Sequence, residues 1–167
     1  MRYLMIVQLF AVVLLAGCAP KATREAEPVV ATGWVPSTIF TTDPGHEAFK
    51  EVYQSARIDT NLTGMIRGLC QGVDVLVFYG QWCSDSKHEV PRFLRLVEAS
   101  GWEGSRVRYY ALDRSKKSDD GLTNRYAIEK VPTLIFFRND DEIGRIVEVP
   151  RATLEGDIVQ ILVAKPH

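Results

Sequence analysis

Residues 73–91 read VDVLVFYGQWCSDSKHEVP, and this stretch decides the fold. Val75, Leu76, Val77 and Phe78 form a short, largely β-branched apolar run, the pattern of a strand covered on both faces. Gly80 ends it. Trp82 and Cys83 follow, and then Ser84, Asp85 and Ser86, residue types that open helices. Val90, Phe93, Leu94 and Val97 recur on one helical face. The reading is strand, tight exit, helix, with a thiol at the junction. A sulfur there sits at the positive end of the helix dipole, which favours thiolate over thiol. Asp85 opposes that bias with a negative charge, and Lys87 and His88 partly offset it.

The rest of the chain fits around this unit. Downstream, residues 106–113 (RVRYYALD) read as the next strand, and residues 114–121 as a solvated, charged turn. Residues 122–128 form a short helix. Residues 132–137 are a strand, Asn139, Asp140 and Asp141 the hairpin turn, and residues 143–149 an antiparallel edge. Thr153 caps a last helix that carries Leu154, Ile158, Ile161 and Leu162 on one face. Upstream, residues 37–41 read as a short first strand. Asp43, Pro44 and Gly45 then signal a turn and helix start. Phe49, Val52, Tyr53 and Ala56 lie at helical spacing, and after a break near Asp59 residues 62–69 continue as a second helical piece. The order gives an α/β domain, a mixed sheet flanked by helices.

Two pieces of this pattern resemble the thioredoxin superfamily. One is the apolar strand followed by Trp82-Cys83-Ser84-Asp85-Ser86, with Pro91 where the family kinks its active-site helix. The other is Val131-Pro132-Thr133 followed by an apolar strand, which resembles the family's cis-proline loop. The resemblance covers roughly residues 34–163. It implies a thioredoxin-like three-layer sandwich in which Cys83 is the nucleophile. It also implies that Val131, Pro132 and Thr133 line a groove offering backbone to an extended substrate chain.

Two departures alter the implied chemistry. The family's second cysteine is Ser86, so CxxC has become CxxS. The buried acid often found in the preceding strand is Val77, which accepts no proton. A thiolate attacks a disulfide to form a mixed disulfide, but Ser86 cannot resolve it; its hydroxyl is expected to hydrogen-bond the Cys83 sulfur instead. Cys83 therefore reads as a monothiol with three outcomes open. An external thiol releases the mixed disulfide, or the sulfur cycles through sulfenic acid, or the domain captures clients without turnover. The alternative is a redox-inactive binding or chaperone-like module using the same groove. In that case Trp82 is only core, Asp85 only a helix-start residue, and Cys83 a relic. A metal site built from Cys83 and His88 is incomplete, so no metal or other cofactor is expected.

Residues 1–17 stand outside the domain. Arg2 precedes an apolar run over residues 3–15, of signal-peptide length and too short to span a membrane comfortably. It ends in Leu15-Ala16-Gly17-Cys18, which resembles a bacterial lipobox. That resemblance implies cleavage before Cys18 and lipid on its thiol and amine, anchoring the chain to a membrane. An ordinary signal peptide or an N-terminal anchor helix are the alternatives. Ala19 after the cysteine resembles outer-membrane sorting in a Gram-negative cell, with the domain facing the periplasm. Residues 18–36 read as a flexible tether and 37–167 as the domain.

With 167 residues, 46% hydrophobic, and a net charge of -1, the chain suits one domain and gives no reason to expect nucleic acid. The expected partners are protein or small-molecule thiols and disulfides. Of the three cysteines, Cys70 lies at the far end of the strand that delivers Cys83. Seven strand residues span roughly 20 Å, beyond disulfide reach, so Cys70 reads as an inert core thiol.

Overall fold

The computed structural model describes residues 30–164. The lipobox and Cys18 lie outside the described residues. Five strands form one sheet: β1 (Gly33–Val35), β2 (Val73–Tyr79), β3 (Val107–Ala111), β4 (Thr133–Arg138) and β5 (Asp141–Val147). Six α-helices accompany them: α1 (Ile39–Thr42), α2 (Glu47–Ser55), α3 (Thr60–Leu69), α4 (Ser84–Ser100), α5 (Leu122–Arg125) and α6 (Leu154–Val163). The strand order is β1-β3-β2-β4-β5. β2 and β3 run parallel, and every other neighbouring pair is antiparallel.

β2 is central because its sequence can be buried on both sides. Val73, Val75, Val77 and Tyr79 point into the larger core with α1, α2, α3, α4 and α6. Leu76 and Phe78 point the other way, into a smaller core with Tyr110, Leu112, Ile128, Val131 and Ile135. The two faces are covered unequally: the long helices share one face, and only the short α5 and its flanking loops cover the other.

The upstream expectations need correction. Residues 37–41 are not the first strand: Ile39–Thr42 is a helical turn that buries Phe40. That ring packs 5.0 Å from both Tyr79 and Tyr109 and 5.5 Å from Phe49. The first strand lies earlier, where Gly33, Trp34 and Val35 pair with Ala111, Tyr110 and Tyr109. Regular structure therefore reaches into residues 18–36, which were expected to be a flexible tether. The helix expected over residues 122–128 stops at Arg125. Within the larger core Tyr109 is 2% exposed, and its hydroxyl has no hydrogen-bond partner among the described residues. Burial pushes that phenol well above its ordinary value.

α4 begins directly at the thiol. Cys83 is its N-cap residue, and Gly101 closes it in the left-handed conformation at φ 68°. Pro91 lies inside the helix and is buried. It has no N–H to give the Lys87 carbonyl, so one rung of the helix is missing behind the thiol-bearing end.

Candidate functional site

The loop after β2 turns tightly, the Cys83 N–H donating to the Gly80 carbonyl at 3.0 Å. Gly80 is required by contact. A Cβ there would lie 2.8 Å from Trp82 Cε2 and 2.9 Å from its Nε1. The indole folds back over this glycine, donates from Nε1 to the Leu112 carbonyl at 3.0 Å, and carries the Arg114 guanidinium 5.1 Å above its ring. The flank of Cys83 is thereby tied to the end of β3 and to a cation in the charged loop.

Gln81 is pinned on two sides. Its Nε2 donates to the Gly45 carbonyl at 2.6 Å, and its Oε1 accepts from the Ala31 N–H at 3.1 Å. Beside it, buried His46 joins Asp43 Oδ2 at 2.7 Å to the Tyr79 hydroxyl at 3.0 Å. These contacts fix the segment before α2 against the end of β2 and the loop that presents Cys83.

The structure brings Cys83 and the Val131–Pro132 loop together. The peptide between these two residues is cis. Cys83 is half-buried, and its Sγ–H donates to the Val131 carbonyl at 3.1 Å. The loop is held from both ends. Thr133 Oγ1 donates to the Lys130 carbonyl at 2.7 Å, the Glu148 N–H donates to the Pro132 carbonyl at 2.7 Å, and Lys130 pairs with Glu148 at 2.6 Å. Val131, Pro132 and Thr133 are buried, and what the loop turns to Cys83 is the Val131 backbone carbonyl.

Ser86 also departs from expectation. It is fully buried, and its Oγ accepts from the Gly80 N–H at 3.1 Å. Among the described residues it makes no hydrogen bond to Cys83, and its role is to brace the turn. Ser84 and Asp85 occupy the first turn of α4. His88 is turned to Glu89, 2.7 Å away, whose other carboxylate oxygen meets Arg92 at 3.0 Å. That pairing engages His88, exposed on α4, with a carboxylate that is itself buried. Val77 is fully buried in the larger core.

Cys70 caps α3 at the start of β2, 1% exposed, and among the described residues neither it nor Cys83 is in a disulfide. Burial raises its thiol above the ordinary value. Under native conditions N-ethylmaleimide is expected to modify Cys83 at least about a hundredfold faster than Cys70. Peptide mass mapping reads the ratio, and equal labelling of the two would contradict this packing.

Reasoning from sequence missed Gln81, the Leu112 carbonyl, Arg114 and the Lys130–Glu148 pair. Each acts through a partner distant in the chain, so no local signal announced them.

Comparison with known proteins agrees with the fold. The sequence model of a family described as thioredoxin matches residues 37–160. A thioredoxin of Malassezia sympodialis is 27% identical over 88 residues, covering 53% of this chain and 80% of that protein. A thioredoxin of Echinococcus granulosus is 31% identical over 70 residues, covering 42% of this chain and 60% of its own length, less than two thirds. Among solved structures, a protein of unknown function from Pseudomonas aeruginosa superposes with a TM-score of 0.53 at 18% identity. That match covers 73% of this chain and 84% of the other, and bears on the fold alone.

Proposed function

The chain belongs to the thioredoxin family, and from that premise we propose that it carries out monothiol thiol–disulfide exchange through Cys83 while anchored to a membrane by lipid on Cys18. The observation that carries this reading is one accessible sulfur set against the Val131 backbone with no second thiol in its turn. The thiolate attacks one sulfur of a client disulfide, the other sulfur leaves as a thiolate, and Cys83 is left in a mixed disulfide. With serine at position 86, that intermediate waits for an external thiol. This thiol takes the client-side sulfur, or attacks the Cys83 sulfur and leaves the client reduced. The lipobox resemblance supports a place in the cell envelope with the domain facing the periplasm or outside, the outer membrane if the cell is Gram-negative.

The test is capture. Cells producing the full chain are quenched with acid and alkylated, and adducts are separated without reductant. Covalent adducts that collapse on reduction are expected with the unaltered chain and expected to vanish in Cys83→Ala. Adducts that persist in Cys83→Ala would sink the assignment to this sulfur. Reductant-insensitive, non-covalent association surviving in Cys83→Ala would instead favour the redox-inactive binding module, a reading supported by apolar Val77 in place of an acid.

A further inference from the structure

The chain enters the sheet at its Cys83 end. Gly33, the first residue of β1, pairs with Ala111, and Ala111 pairs with Tyr79, the last residue before the Cys83 loop. β1 then runs antiparallel to β3, away from the thiol. Two residues before β1, the Ala31 N–H is bonded to Gln81, itself two residues from Cys83. The point where the chain leaves its N-terminal segment and the point where it presents its sulfur are thus one edge of the molecule.

We propose that this entry point turns Cys83 toward the lipid surface, so that its partners are thiols and disulfides carried by molecules on that same membrane. The proposal rests on the reading that Cys18 is lipidated. Cys18 and Ala31 are thirteen residues apart, a span of at most about 45 Å fully extended. A 135-residue domain is roughly 35 to 40 Å across, from a radius of gyration of about 14 Å. Even fully extended, the attachment is shorter than the path around that body, roughly 55 to 60 Å, so the face nearest Ala31 stays nearest the membrane. Gln81 enforces this on the thiol itself, because its amide joins the incoming chain to the loop carrying Cys83.

The experiment uses the full lipidated chain in vesicles of phosphatidylethanolamine and phosphatidylglycerol. The probe is phosphatidylethanolamine carrying a pyridyl disulfide on its headgroup. Exchange joins the protein sulfur to the lipid-borne sulfur, breaks the probe's S–S bond and releases pyridine-2-thione, which is read by absorbance. The reference is Ser105→Cys in a Cys83→Ala background. Ser105 is exposed and precedes β3, at the opposite end of the sheet. Each rate is divided by the rate with soluble dipyridyl disulfide, which removes differences in intrinsic reactivity.

The normalised rate for Cys83 is expected to exceed that for Ser105→Cys at least about tenfold. Inserting twenty Gly/Ser residues between Ala22 and Thr23 is expected to reduce the ratio to within about twofold. Equal or reversed rates on vesicles that hold lipidated protein would overturn the proposal and leave the anchor standing. Cys83 inert toward the soluble disulfide would overturn both the proposal and the exchange chemistry. Absence of lipid mass on Cys18, with no flotation of the protein with vesicles, would overturn the anchor reading and this proposal with it.

Discussion

Ser86→Cys is expected to free turnover from its dependence on an external resolving thiol and to cost stability in the same step. The hydroxyl it replaces is fully buried and accepts the Gly80 N–H. Sulfur is a weak acceptor, so the buried N–H loses most of its bond, at a cost of about 1 to 2 kcal/mol. In return, a second thiol stands in the first turn of α4, three residues after Cys83, where it attacks a mixed disulfide intramolecularly. The variant is expected to reduce the interchain disulfides of insulin at least about tenfold faster than the unaltered chain under a dithiothreitol supply, from the effective concentration of a neighbouring thiol. Precipitation of the insulin B chain measures it. A variant that folds, as judged by circular dichroism and melting, yet shows no gain would place the obstacle elsewhere. Val77, where related proteins often carry an acid, would then be the residue to examine.

Gly80→Ala should produce the larger structural disturbance. The added methyl would sit 2.8 Å from the Trp82 ring, and neither the ring nor the loop backbone gives way freely. The indole must leave the Leu112 carbonyl and the underside of Arg114. Overpacking of this kind costs about 1 to 3 kcal/mol, and the lost hydrogen bond adds about 1 kcal/mol. For a domain of this size the melting temperature should fall by roughly 5 to 15 °C. A cycle with Trp82→Ala isolates the cause. Once the indole is gone, the alanine at position 80 should cost under about 1 kcal/mol. An undiminished cost in that background would mean that the clash with Trp82 is not the reason this position holds glycine.

What could be read from sequence was local. β2, the opening of α4 and the strand after Pro132 each announce themselves by runs of one residue class bounded by Gly, Pro or helix-start residues. β1 escaped because three residues carry no period; Gly33, Trp34 and Val35 are a strand only through β3. The apolar and β-branched residues at 39–42 suit a strand as well as a helical turn, and burial of Phe40 among Tyr79, Tyr109 and Phe49 decided it. At the site, Cys83 and the Val131–Pro132 loop were identified, but the orientations of Ser86 and Val131 were not. Both depend on whether backbone or sulfur offers the nearer partner, a question settled only in three dimensions.

Pro91 divides α4 into a front portion that carries the thiol and a rear portion, with Phe93, Leu94, Leu96 and Val97, that fills the larger core. The break in hydrogen bonding falls between them. The division is not one of surface from core, since Ser86 and Val90 ahead of the proline are themselves fully buried, so reactivity and packing are set by neighbouring turns of one helix. The outward positions of the first turn, Ser84 among them, are where the charge around the sulfur can change without touching the packing beneath.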